Sequence, residues 1–154
     1  MSLMRWTPAM SVGLKELDDD HKMLIRIINQ LADIRGQSGR EGALRRCVFA
    51  LMRYAEFHFA REEQVMAACG FPELEAHKAE HVLFVERMRQ VAQALDDVDV
   101  DKSPIDVELL EYLKGWLNHH ILIVDMSYRP LVEGKPEATA AAKGFKAAEV
   151  WWSQ

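Results

Sequence analysis

The sequence predicts an all-α protein: an up-down-up-down antiparallel four-helix bundle with an N-terminal arm and a C-terminal extension. Apolar residues recur at three- and four-residue steps in four separate stretches, the period of a helix that buries one face. Alternating, strand-like patterns are almost absent. The breaks between the stretches are short, and short connections between long amphipathic helices make sequential neighbours antiparallel. A length of 154 residues, 49% of them hydrophobic and 28% charged, suits one such domain with a proper core.

The first helix is expected to begin near Asp18, a good N-cap, with Asp19 and Asp20 favourable in its first turn. Leu24, Ile27, Ile28, Leu31 and Ile34 then form one apolar stripe, closed by Gly36 and Gly39. A second helix runs from about Arg40 to Cys69, with Leu44, Val48, Leu51, Met52, Ala55 and Phe59 along its inner face. Gly70-Phe71-Pro72 breaks the chain, and Pro72 suits the first position of a third helix that carries His77, His81, Val85, Met88, Ala92 and Leu95. The acidic stretch from Asp96 to Asp101 ends it. Ser103-Pro104-Ile105-Asp106 resembles a capping box and opens the fourth helix, with Leu109, Leu113, Trp116, Leu117, His120 and Val124.

The chain thus divides into an arm over residues 1–17, a bundle over residues 18–131 and a tail over residues 132–154. Met1-Ser2-Leu3 ahead of Met4 reads as an expression leader. In the tail, Ala141, Phe145, Ala148 and Trp152 share one face of a short helix, started by Pro136 and weakened at Gly144 by about 1 kcal/mol relative to alanine. That stripe either folds back onto the bundle, the favoured reading, or presents Phe145, Trp151 and Trp152 to a protein partner or a second copy of the chain.

Composition removes several function classes. A formal net charge of −5 without a basic stripe argues against nucleic acid as a partner. Cys47 and Cys69 form neither a CxxC pair nor a haem-attachment motif, so no disulfide framework or zinc ribbon is expected, and a reducing cytoplasm is the default location. The apolar run from Ile121 to Val124 is far too short to span a bilayer, so no membrane partner is expected.

The placement of the histidines carries the chemistry. His58 and Glu62 are four residues apart, as are His77 and His81, so each pair projects from one helix face. With His21 on the first helix and His120 on the fourth, every helix contributes an imidazole on or beside its apolar stripe. A single histidine on such a face is ordinarily a hydrogen-bonded core residue. Five together without partners would cost roughly 1–3 kcal/mol each, and a metal removes that cost. Imidazole and carboxylate without thiolate suit iron, zinc, copper or manganese. The donors are too many for one structural zinc and suit two six-coordinate ions bridged by carboxylates. The Glu-x-x-His motif of ferritin-like di-iron proteins is missing: Asp18, Ala55, Leu74, Lys78, Trp116 and Leu117 stand three residues before the histidines. No HExxH motif occurs either.

Four blocks resemble the hemerythrin family. Trp6 to Gly13 with Leu17-Asp18-Asp19-Asp20-His21-Lys22 is similar to its N-terminal arm and first-helix histidine. His58-Phe59-Ala60-Arg61-Glu62-Glu63 with Met66 is similar to its HFxxEE stretch, and Gly70-Phe71-Pro72 with His77 and His81 to its turn and HxxxH block. Trp116-Leu117-Asn118-His119-His120-Ile121 with Asp125 is similar to its WLxxHIxxxD block. The resemblance spans roughly residues 6–130, and no expected ligand is missing. It implies that His77, His81 and His120 bind one iron, that His21 and His58 bind the other, and that Glu62 and Asp125 bridge them. With an oxo or hydroxo bridge, these donors fill all but one position of two octahedral irons, on the iron with two histidines, and the resemblance implies that dioxygen takes that position. His119, about 100° around the helix from His120, is expected to be exposed or behind the ligands. Glu63 is expected to be solvated.

Reversible binding needs a dry pocket, and Leu24, Phe59, Trp116 and Leu117 are its expected wall, each one to four residues from a ligand histidine. The function expected from the resemblance is therefore reversible dioxygen binding, for oxygen storage, delivery or sensing, by a protein that is not an enzyme. The alternatives are a di-iron enzyme acting on peroxide or nitric oxide, and an iron- or oxygen-responsive interaction module. The ligand roles also set a backbone problem. His120 and Asp125 are five residues apart, about 140° around an ideal helix, so a π-turn, a bend or an unusual side-chain reach is expected across Ile121 to Val124.

Overall fold

Four long helices form where the periodicity places them: α1 (Lys15–Ile34), α2 (Glu41–Ala68), α3 (Leu74–Ala94) and α4 (Ile105–His119), in a computed structural model that describes residues 3–145. No strand occurs among the described residues. α1 packs against α2 and α4, and α2 against α3. α3 meets α4 through Phe84, whose ring lies 4.1 Å from Trp116. Among the described residues, no helix is long and apolar enough to cross a membrane.

The up-down-up-down order can be read from how the core is divided. One apolar cluster contains Leu24 to Leu31 of α1, Leu44 to Phe59 of α2, Phe84 and Met88 of α3, and Leu109 to Leu117 of α4. A second contains Leu14 and Leu17, Val65 and Met66, Phe71, and Tyr128 and Val132. Every helix or its direct continuation places buried polar residues between the two clusters: Asp20 and His21, His58 and Glu62, His77 and His81, His120 and Asp125. Following the chain, α1 and α3 run from the second cluster to the first, and α2 and α4 run the other way. A layer of buried donors therefore crosses the bundle between the two apolar clusters.

Several local expectations are corrected. Asp18 is not the N-cap, because α1 starts at Lys15 with Leu14 as its cap residue. The Asp18 carboxylate instead accepts from the Ser11 hydroxyl at 2.6 Å and the Val12 amide at 2.9 Å, tying the arm to the bundle. Pro72 stands in a turn two residues ahead of α3. That turn is made by Gly70, whose φ of 67° lets the Phe71 amide close back on the Met66 carbonyl at 3.0 Å. The Ser103 hydroxyl accepts from the Ile105 amide at 3.2 Å, from one residue ahead of the cap position, which Pro104 occupies. Asp106 does not complete the box, because Arg40 Nε holds its Oδ2 at 2.7 Å. On α3 the inner face is His77, His81, Phe84 and Met88, with Val85 only half-buried, since Phe84 continues the four-three-four spacing and Val85 lies one step around.

After α4 the chain passes through a π-helical turn (His120–Val124), a 3-10 turn (Asp125–Ser127) and a single turn α5 (Arg129–Val132). The tail helix α6 (Pro136–Gly144) opens with Pro136 at its first position and lies along α2, burying Ala138 and Ala142. Ala141 is only partly buried, while Phe145 is buried just past the helix end. Met1, Ser2, Ala148, Trp151 and Trp152 lie outside the described residues.

Candidate metal centre

The four-residue spacing on α2 and α3 stacks His58 over Glu62 and His77 over His81, and helix packing then faces these pairs toward His21 of α1. The π-turn supplies the last donor. By adding a residue to one turn, it brings Asp125 round to the side of His120, and both are buried, at 0% and 2% exposure. Of the three ways to satisfy the five-residue spacing, the backbone takes the π-turn.

All seven side chains converge. Donor atoms of Glu62, His77, His81 and His120 lie within 4.8 Å of one another, as do those of His21, His58, Glu62 and Asp125. Every imidazole points its Nε2 inward. Each carboxylate divides its oxygens between the two groups. Glu62 Oε1 lies 3.0 Å from His77 and 2.9 Å from His81, while Oε2 lies 3.3 Å from His58 and 3.7 Å from His21. Asp125 Oδ1 lies 3.1 Å from His77 and 3.0 Å from His120, and Oδ2 lies 3.1 Å from His21.

These short distances are mostly not hydrogen bonds. His21 Nε2, His58 Nε2 and both Asp125 oxygens are buried without a hydrogen-bond partner among the described residues. Only His77 Nε2 with Glu62 Oε1, at 3.0 Å, and His81 Nε2 with His120 Nε2, at 3.3 Å, pair as hydrogen bonds between the inward-facing atoms of the imidazoles and carboxylates. Lone pairs that crowd together without alignment fit a cation between them, so the residues present suit metal ions. Without an ion, protons fill the role. Burial opposes charge on every group here, yet the neighbouring carboxylates push His58 and His120 up to about 10 and His77 to about 9. Against the same burial, the imidazoles hold Glu62 and Asp125 below the usual carboxylate range.

A surrounding set of polar side chains holds the converging donors in place, and sequence reasoning missed most of it. Asp20 Oδ2 faces His58 Nδ1 at 3.0 Å, and Asp20 Oδ1 accepts from the Tyr54 hydroxyl at 3.0 Å. Glu63, expected to be solvated, is half-buried with Oε2 2.7 Å from His81 Nδ1. The Tyr128 hydroxyl donates to Glu62 Oε2 at 2.9 Å from a fully buried ring. The available signals were weak: Glu63 adjoins a ligand, and Tyr128 follows Asp125 by three residues, one helical step. His119 is exposed.

Leu24, Phe59, Trp116 and Leu117 line one cavity of about 10 Å³, together with Ile28, Leu51, Ala55, Phe84 and Leu113. None of these side chains is an acid or a base. Two of the lining rings also touch converging imidazoles: Phe59 stacks on His81 at 3.9 Å and Trp116 on His120 at 4.5 Å.

The family model for the Hemerythrin HHE cation binding domain matches residues 12–132. Bacteriohemerythrin of Pseudomonas aeruginosa is 33% identical over 132 residues, covering 83% of this chain and 80% of that protein. Bacteriohemerythrin of Clostridium acetobutylicum is 27% identical over 80% of this chain and 96% of its own length. Myohemerythrin of Theromyzon tessulatum is 29% identical, covering 81% and 90%. A wild-type hemerythrin crystal structure superposes with a TM-score of 0.76 at 28% identity, over 86% of this chain and 99% of that one.

Proposed function

The chain belongs to the hemerythrin HHE cation-binding family, and from that premise we propose that it binds dioxygen reversibly at a carboxylate-bridged di-iron centre, as a store or carrier and not as an enzyme. The observation that carries this reading is the division of oxygens on Glu62 and Asp125, one toward each group of imidazoles. A carboxylate with both oxygens committed to different donor groups is arranged to bridge two ions. In this reading His77, His81 and His120 hold one iron, His21 and His58 hold the other, and Glu62 and Asp125 join them. Iron held by these residues would supply the redox chemistry for binding dioxygen.

The chain's own residues have the remaining tasks. Asp20 and Glu63 fix the rings of His58 and His81 through their Nδ1 atoms, leaving Nε2 free for the ion. Tyr128 steadies Glu62. The apolar cavity against Phe59 and Trp116 excludes water and offers no proton donor, which favours reversible binding over turnover of peroxide or nitric oxide.

Metal analysis and optical spectroscopy test the proposal together. Two irons per chain are expected, lost together in His77→Ala because the bridges are shared. A ligand-to-iron charge-transfer band should appear on exposure of the reduced protein to air and vanish on removal of oxygen. A band that forms once and does not reverse would contradict carriage. A His77→Ala protein holding one iron tightly would contradict the bridged centre.

A further inference from the structure

The family match ends at residue 132, yet the tail beyond it reaches the surroundings of the centre. α6 lies along α2, and Phe145 just beyond it is 8% exposed, its ring 5.4 Å from that of Phe57. The Arg61 guanidinium stands over both rings, 4.7 Å from the centroid of Phe57 and 5.9 Å from that of Phe145. Arg61 Nε is 3.5 Å from Asp20 Oδ2, the oxygen that faces His58 Nδ1. That Nε is buried without a hydrogen bond among the described residues. No directional bond from Nε therefore holds the cation against Asp20, and the two rings are its aromatic cover.

We propose that Phe145 and Arg61 are positioning residues of the centre. The tail ring clamps the guanidinium beside Asp20, and the cation limits how strongly Asp20 draws the Nδ1 proton of His58. That in turn sets how strong a donor His58 Nε2 is toward a bound iron. The inference rests on the di-iron reading. Neither residue is among the fixed positions of the family resemblance: Arg61 occupies an open position of the HFxxEE pattern, and Phe145 lies beyond the family match.

Removing the cation leaves Asp20 more basic and His58 a stronger donor, so the oxidised centre is favoured. Arg61→Met should therefore move the midpoint potential of the iron-loaded full chain to more negative values. Phe145→Ala should move it in the same direction by a smaller amount, because it uncovers one side of the guanidinium while Phe57 still covers the other. The double variant should match Arg61→Met alone, because the ring acts only through the cation. Phe145→Tyr keeps the ring and should keep the parent potential. If Phe145→Ala fails to fold, Arg61→Met and Phe145→Tyr still carry the test. A parent that takes up no iron overturns the di-iron reading and this inference together. A parent that loads iron while Arg61→Met keeps its potential overturns the clamp alone. Additive shifts in the double variant overturn the route through Arg61, and a Phe145→Ala that lowers the melting temperature at unchanged potential shows the tail to be packing only.

Discussion

Tyr128→Phe deletes one oxygen atom and keeps the ring, so its effect reports on a single contact. The side chain has no exposed surface, and its hydroxyl makes the one hydrogen bond that Glu62 Oε2 accepts among the described residues, at 2.9 Å. Burial and the adjacent Glu62 charge hold the Tyr128 pKa well above the usual tyrosine range, so it stays a donor across ordinary pH. A hydrogen bond to a charged group contributes about 1.5–3 kcal/mol. At about 2–4 °C per kcal/mol for a chain of this size, the metal-free variant should melt about 3–12 °C below the parent. With iron bound, Oε2 gives electron density to the ion and is a poorer acceptor, so the loss should be smaller. Calorimetry on metal-free and iron-loaded forms measures both. A metal-free change within about 1 °C of zero would refute the contact, since that is well under the smallest loss a charged hydrogen bond allows. A larger loss in the loaded form would mean that Tyr128 orients Glu62 for the ion and does not chiefly satisfy its charge.

Leu117→Ala should destabilise the bundle by about 2–5 kcal/mol and, by enlarging the apolar cavity, speed loss of the oxygenated spectrum; an unchanged decay rate in folded protein would remove the cavity from the proposed function. The pH dependence of the metal-free protein follows from its imidazoles. His58, His77 and His120 have folded pKa values raised to about 10, 9 and 10, so their contribution is complete below the ordinary histidine value of 6.5 and is lost as pH rises through 9 to 10. Melting temperature should fall over that window without metal and stay flatter with iron, and iron binding should release protons that a pH-stat can count. Asp18→Ala removes the acceptor for the Ser11 hydroxyl and the Val12 amide, so trypsin should cut at Lys15 several-fold faster; an unchanged rate would show that other contacts hold the arm.

Much of the fold was legible because helices carry their own period. The stripes from Leu24 to Leu31 and from Leu44 to Phe59 lie in the core where the spacing puts them. The convergence of His58 with Glu62, and of His77 with His81, follows from one helical turn and needs no knowledge of the neighbours. The five-residue interval from His120 to Asp125 was readable as a conflict with that geometry, and the π-turn is how the backbone resolves it. Other features depend on how helices rotate and cross. Asp18 looked like a cap from its neighbours in sequence, but the arm folded over α1 uses its carboxylate instead. Glu63 and Arg61 would be solvated on an isolated α2; His81 of α3 captures one, and Asp20 of α1 with Phe145 of the tail surrounds the other. Periodicity records which face of a helix is buried, because apolar area accumulates over many residues. The partner of a single polar atom is decided within about 3 Å, where a hydrogen bond either aligns or fails. Only the tertiary packing determines which atoms come that close.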